Sequence, residues 1–569
     1  MASESLVGYS SHHDAQTSSP IGGAQKSRHF RWKSGLFILL LGIAAGVVTW
    51  FYYAADRSQQ NFAQILVVTL TMLVLTIWWT FFSGVRWRVR FAGWLVIFLI
   101  GFGVRSSVRL VGFRGEAFPI LEFRWQESSE AKAAKYWEGQ KLIASSVPAS
   151  EIVAATPSEP AFPIDPDDWS QFRGNDRNGI VTGQDWGMIP GRGLLIPKDD
   201  DPERQPKELW RHPVGPAWSS FAVVGNRAIT QEQQQESEAV VCYDLDTGEP
   251  IWVHTDNARF YEVFGGVGPR ATPTIHDGRV YTLGATGILN CLELETGKPV
   301  WQANILTDAG ADNITWGMSA SPLIVDDMVI VNPGGKSGKG VAAYHRQTGE
   351  ILWAKGDYPA SYSSPILATI GGTRQILMHD GHGAAGINPE DGSELWRFPW
   401  TTQPEVNVAA PTLIYDQRVL IGSGYGVGSA LLDIKYHGDQ WSATTDWSQR
   451  ESRFLKPKFN DFIVLGKHAY GLDEGIMVCV DLEERKQMWK KGRYGYGQLM
   501  MIGGMIIVLA ESGEVVYIRP SAKEHKELYR WQAISGKTWN HPAFAHGKLL
   551  VRNAEEAACY ELPIHDGEY

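Results

Sequence analysis

The chain has 569 residues, 44% of them apolar and 20% charged, with a formal net charge of −10. That composition builds a buried core and excludes collagen-like or wholly disordered chains. The acidic balance leaves no basic track for nucleic-acid phosphates. Two counts stand out, 60 Gly and 23 Trp, pointing to many tight turns and many rigid core plugs. Cys242, Cys291, Cys479 and Cys559 stand singly, which fits neither a disulfide scaffold nor a Cys-based metal site.

Residues 1–33 read as a polar, disordered cytoplasmic tail that includes His12 and His13 and ends in Lys26, Arg28, Arg31 and Lys33. Residues 34–113 then read as about three transmembrane helices, at 34–55, 62–83 and 91–113. The first two runs carry no charge over lengths that cross about 30 Å of hydrocarbon at about 1.5 Å per residue. Trp50, Tyr52, Tyr53, Trp78 and Trp79 suit interfacial belts. The third run has only 14 uncharged residues before Arg105, so it spans by extending to Phe113 with Arg105 and Arg109 snorkelling. A long tail in front and no small-residue cleavage site behind make the first run a signal-anchor rather than a cleaved leader. Basic residues in the tail and at Arg86, Arg88 and Arg90 place those segments in the cytoplasm. Three crossings then put the rest on the periplasmic side of the inner membrane, whereas two would keep it cytoplasmic.

Residues 114–167 read as a linker, Pro- and Ala-rich toward its end. Beyond it the chain repeats. YDLDTGEPIW, LELETGKPVW, YHRQTGEILW and INPEDGSELW end at Trp252, Trp301, Trp353 and Trp396, each with a glycine four residues earlier. Degenerate copies end at Trp441, Trp489 and Trp531, a lone ELW ends at Trp210, and the spacing averages about 46 residues. Turn-punctuated, β-branched and aromatic runs make these hairpins, four short strands to a unit. Eight short apolar runs, often begun by Pro, supply the innermost strands. Trp210 has no local blade, and the last segment has no terminal Trp strand. The economical solution is an all-β, eight-bladed propeller over 168–569, closed by an outer strand from 208–214. One Trp per blade then fills the wedge between sheets. The cysteines, each two residues before an acid, fall at one equivalent strand position.

The repeated xDxxTGxxxW unit resembles the quinoprotein (PQQ) β-propeller superfamily, which holds alcohol dehydrogenases and the lipoprotein B propellers of outer-membrane protein assembly. DWSQFRGNDRNG, GPRATPTIHDGRVYTLGATG, PGGK and SGKTWNHPAFAHGKLLVRN are similar to membrane-anchored propellers of planctomycete-type bacteria. PGGKSGKG and GSGYGVGS match no phosphate or dinucleotide fingerprint in register and read as turns. His379, Asp380 and His382 in HDGHG read as solvated turn residues.

Functional candidates are the residues just before each innermost strand, on the loop face where propeller ligands gather. They are Trp218, Glu262, Arg270, Trp316, Asn407, Asn460, Asp461, Trp539 and Asn540. Two function classes follow. One is a binding or scaffolding propeller for a protein or polysaccharide partner, without a cofactor. The other, implied by the resemblance, is a quinoprotein dehydrogenase using PQQ and calcium on an alcohol or sugar. There Asp461 would be the base, Arg270 would face the quinone carbonyls and Trp539 would stack on the ring. Glu262 with Asn407 or Asn460 would ligate calcium. The missing adjacent-Cys pair and the missing haem-attachment motif favour the binding class.

Overall fold

The computed structural model describes residues 30–53, 57–140, 163–182, 192–198, 200–403 and 405–566. His12, His13, Lys26, Arg28 and the Pro-rich stretch 141–162 lie outside them. The chain falls into two compact units, one of residues 1–50 with 63–104, the other of 51–62 with 105–569.

Three helices are long and apolar enough to cross a membrane: α1 (Trp32–Tyr52), α2 (Arg57–Ile77, continued by a π turn to Phe82) and α3 (Trp87–Ser107). Small residues let the first two approach closely, since a Cβ on Gly35 would sit 2.6 Å from the Trp78 ring. The third helix stops at Ser107 instead of running to Phe113. Its shortfall is made up at the start, from Trp87. Arg109 therefore does not snorkel from a helix. It sits on a strand, ion-paired with Glu122 at 2.9 Å.

Part of the expected linker is also structured. Val108–Phe113 and Pro119–Phe123 form an antiparallel hairpin, and Ser129–Gly139 forms helix α4, its first turn capped by Ser128. Helix α4 docks on the propeller. Trp137 donates to buried Glu232 at 2.9 Å, and Tyr136 stacks on His212, which stacks on Trp210.

The rest of the second unit is the propeller. Its described residues form eight four-stranded antiparallel sheets: blade 1 (222–256), blade 2 (274–304), blade 3 (323–355), blade 4 (366–399), blade 5 (412–444), blade 6 (463–493), blade 7 (498–532) and blade 8 (543–561). Lys207–Pro213 completes blade 8 by pairing with Glu556–Glu561, with Trp210 opposite Cys559. The ring thus closes with a strand from its N-terminal side, hiding the edge that blade 8 would otherwise expose.

The repeat motif explains itself at its turn. Asp244 accepts the backbone N–H groups of Asp246 and Thr247, and Gly248 takes the left-handed φ of +72° that the turn requires. The space over that glycine receives the Trp of the preceding blade. Trp210, Trp252, Trp301 and Trp353 cover Gly248, Gly297, Gly349 and Gly392 in turn. The indole N–H of Trp210, Trp252, Trp301, Trp353 and Trp489 then donates to a backbone carbonyl of the next blade at 2.8–3.1 Å. Three tryptophans depart from the expected single cause. Trp396 bonds Gln375 within its own blade, Trp531 has no hydrogen-bond partner among the described residues, and Trp441 sits at a hairpin end beside Tyr436. The cysteines take one equivalent position: Cys242, Cys291, Cys479 and Cys559 lie opposite Trp252, Trp301, Trp489 and Trp210 on the neighbouring strand. All four are free and buried.

Candidate functional site: the channel mouth

Segment 165–182 closes the ring's axis on one side. Trp169 pairs with Val223 of blade 1, Ser170 accepts from Ile275 of blade 2, and Ile180 bridges Met501 of blade 7. At the centre, Arg177 uses all its guanidinium donors. They reach Gln171, Ser321 O, Pro365 O, Thr274 Oγ1 and Pro322 O, so one cation ties blades 2, 3 and 4 to the plug. Arg173 does the same for blade 6, donating to Phe462 O and facing Asp461 at 3.6 Å.

On the other side of the plug lies a cavity of about 420 Å³. Loops leading into the innermost strands of seven blades line it, and blade 7 adds Gln498 at the start of its own strand. Its walls are aromatic: Trp218, Trp316, Tyr362, Tyr425, Phe459 and Trp539. Its roof comes from the chain's own N-terminal part. Ser58 and Phe62 of helix α2 and Phe113, Arg114, Gly115 and Ala117 of the hairpin all line it. The roof is bonded down at several points. Ser58 donates to Gly115 O and Asn61 to Glu116 O, while Phe113 and Phe62 pack on Phe264. Glu511 accepts from Gly115 N at 2.8 Å and from the Trp539 indole at 3.1 Å.

Two lysines are built into this aromatic mouth. Lys537 lies 4.0 Å from the Trp539 ring and 4.7 Å from the Trp218 ring and donates to Phe113 O. Burial pushes its amine down to about 8, against the pull of nearby Glu511. Lys458 lies among Tyr425, Phe459 and Tyr496 and donates to Ser58 Oγ at 2.7 Å.

Of the residues singled out by sequence, Trp218, Arg270, Trp316, Asp461 and Trp539 line the cavity, and four others do not. Asn407 is fully buried and spends its amide on Asp380 O and Trp400 O, while its oxygen accepts from Ser423. Asn540 donates to Ala217 O and Ser219 O. Asn460 is buried with its amide 3.4 Å from Asp461 O. Glu262 closes its own hairpin, accepting from Phe264 N and Gly265 N. Side-chain type was legible in each case. Direction was not, because an amide serves a backbone carbonyl as readily as a ligand.

Arg270 reaches the cavity wall with its donors already engaged by Trp316 O, Gly266 O and Gly268 O, and its plane over Phe260. Burial pushes its guanidinium down to about 10. Asp461 accepts from Ala410 N at 2.6 Å and lies 3.2 Å from His541 Nε2. Burial raises the Asp461 pKa, opposed by Arg173, and pushes His541 down to about 3. Of the HDGHG residues His382 is exposed as expected, but the other two are not. His379 and Asp380 are buried, His379 against Ala409 O and Asp380 in an ion pair with Arg397 at 2.8 Å. The missed elements are the plug, the roof and the two lysines. DWSQFRGNDRNG and the Lys537–Trp539 pair were the visible signals.

The oxygen donors that would hold calcium beside a quinone do not converge. Glu262 is committed to backbone N–H groups and the Asn407 oxygen to the Ser423 hydroxyl, the Asn460 oxygen is buried without a hydrogen-bond partner, and no cluster of three His, Cys, Asp or Glu suited to a metal occurs among the described residues. These residues do not fit such a PQQ–calcium site.

Comparison with known proteins adds the following. The family described as outer membrane protein assembly factor BamB matches residues 236–491. The curated outer membrane protein assembly factor BamB of Burkholderia pseudomallei is 25% identical over 197 residues, covering 33% of this chain and 45% of that protein. The chain thus spans less than half the length of that relative. Among solved structures, BamB from Moraxella catarrhalis is 14% identical over 63% of this chain and 98% of its own, with a TM-score of 0.44. A quinohemoprotein alcohol dehydrogenase from Pseudomonas putida HK5 is 13% identical over 70% and 81%, with a TM-score of 0.47.

Proposed function

We propose, from the premise that this chain is a PQQ-like β-propeller, that it is a membrane-anchored binding or scaffolding module with its propeller outside the cytoplasm. One observation carries this reading. Arg270, Asp461, Lys458 and Lys537 round the channel mouth are already engaged within the protein, while half-buried aromatic planes at Trp218, Trp316, Tyr362 and Trp539 still line the cavity. Such planes suit recognition through stacking and apolar contact more than general-base chemistry. Asp461 in particular is held by Ala410 N, Arg173 and His541, and is occupied as a structural acceptor. Multi-pass insertion in the inner membrane rests on the three apolar helices and on Arg86 before α3 with Arg88 and Arg90 in its first turn.

The partner fitted best is a protein, since the curated relative is described as an assembly factor; a polysaccharide is the other candidate. A photo-crosslinker placed at exposed Tyr261, on the first strand of the hairpin Tyr261–Glu262/Gly266–Val267, tests this in native membranes. A discrete protein adduct is expected at Tyr261 and none at Tyr415 of the turn in blade 5. No adduct at Tyr261, together with Trp316-dependent fluorescence quenching by oligosaccharides, would replace the protein partner with a glycan.

A further inference from the structure

The hairpin Val108–Phe113/Pro119–Phe123 has two unlike faces. Cross-strand pairs put Val108 with Phe123 and Leu110 with Leu121 on one side, and Arg109 with Glu122 on the other. The second side is satisfied. Arg109 and Glu122 form an ion pair at 2.9 Å, and Phe113 at the strand's end packs on Phe264 at 4.9 Å. On the first side Leu110, Leu121 and Phe123 are exposed, and exposed Trp125 stacks on Phe123 with centroids 4.4 Å apart. Trp125 is 70% exposed and Leu121 57%. A strand face turned to water carries polar residues at alternate positions, and this one carries none.

We infer that this face lies in the headgroup–acyl boundary of the lipid bilayer, as an interfacial anchor for the propeller. The inference rests on the membrane reading above. Chain continuity selects lipid as the occupant. The strand begins at Val108, directly after Ser107, the last residue of a candidate span. At about 3.3 Å per residue, Leu110 can be no more than about 10 Å from that helix end. Leu121 and Phe123 are bound to the same region by their pairing with Leu110 and Val108. The polar layer of a bilayer is itself several ångströms thick on each side, so these side chains are within reach of its apolar boundary. The chemistry agrees: a stacked Phe–Trp pair is suited to the interface. Arg105 and Arg124 nearby can meet lipid phosphates, Arg124 while donating to Arg105 O. The hairpin also carries Gly115 and Ala117 of the cavity roof, so the same contact would hold the roof in place.

Environment-sensitive fluorophores on single introduced cysteines test this in the full-length protein reconstituted into phosphatidylcholine–phosphatidylglycerol vesicles. The four native cysteines are buried and leave the introduced ones as the accessible thiols. Leu121→Cys and Phe123→Cys should lose most of their emission to lipids spin-labelled near the headgroup and resist aqueous iodide. Tyr415→Cys should behave oppositely, and Leu40→Cys in α1 should respond to lipids labelled deep in the chains. Iodide access at Leu121 and Phe123 equal to that at Tyr415 would overturn the inference. Protection from iodide without quenching by spin-labelled lipid would also overturn it, in favour of a protein or second copy. Quenching at Leu40 but not at the hairpin leaves the spans standing and removes only this inference. Quenching at the hairpin but not at Leu40 keeps the lipid contact and overturns the spans.

Discussion

The indole of Trp210 covers Gly248 across the seam where the ring closes, and a Cβ on Gly248 would sit 2.6 Å from Trp210 Cδ2. Trp210 also donates to Leu245 O at 2.9 Å. Blade 8 is therefore locked to blade 1 by the same contact that joins blade 1 to blade 2. Gly248→Ala combines a side chain at φ +72° with a steric overlap, and should cost roughly 2–4 kcal/mol. Trp210→Ala should cost roughly 3–5 kcal/mol. Denaturation midpoints of the two single variants and the double variant check this. The double variant should lose less than the sum, because the clash vanishes with the indole.

Removal of residues 205–214 takes away the outer strand of blade 8 and bares the edge Glu556–Glu561. The expected outcome is aggregation, seen as a shift to the void volume in size-exclusion chromatography. Retained melting temperature and a monodisperse peak would contradict the closure.

The two arginines near the axis should separate in magnitude. Arg177→Ala leaves carbonyls of blades 3 and 4 and the Thr274 hydroxyl without their donor in a site closed to solvent. A loss of roughly 3–5 kcal/mol is expected, only partly restored by lysine, which cannot span the same acceptors. Arg270→Ala removes a clasp between Gly266, Gly268 and Trp316 at the cavity wall, and should cost roughly 1–3 kcal/mol. Thermal melts of both variants decide the order.

Burial pushes the His379 imidazole down to about 4. The unfolded chain binds this proton near pH 6.5 while the folded one does not, so stability falls as pH drops from about 6.5 toward 4. His379→Gln removes that contribution. The stability advantage of the parent over the variant should shrink by roughly 1–2 kcal/mol between pH 8 and pH 5. An unchanged difference would mean that His379 is not buried as a neutral ring.

The legible parts of this protein are those it repeats. Eight apolar runs and eight spaced tryptophans announce eight blades, and the orphan Trp210 announces the closure. Cys242 and its three counterparts reveal their place opposite a tryptophan because the same offset recurs. The plug at 165–182, the hairpin at 108–123 and helix α4 occur once each. Their partners lie far along the chain, by hundreds of residues for Gly115 and Glu511 or Arg173 and Phe462. No local period records such contacts. Asn407 and Glu262 show the complementary limit: their chemistry is visible in sequence, but the backbone groups that consume it appear only in the fold.

The central claim is that this propeller binds and organises rather than oxidises. Full-length protein incubated with PQQ and calcium, freed of excess cofactor, and followed by absorbance and alcohol-dependent dye reduction tests it most directly. The account predicts no retained quinone absorbance and no dye reduction, because Glu262 and Arg270 are spent on backbone groups and the Asn407 oxygen on the Ser423 hydroxyl. Stoichiometric, calcium-dependent retention of PQQ with alcohol-driven dye reduction, lost in Asp461→Asn, would contradict it.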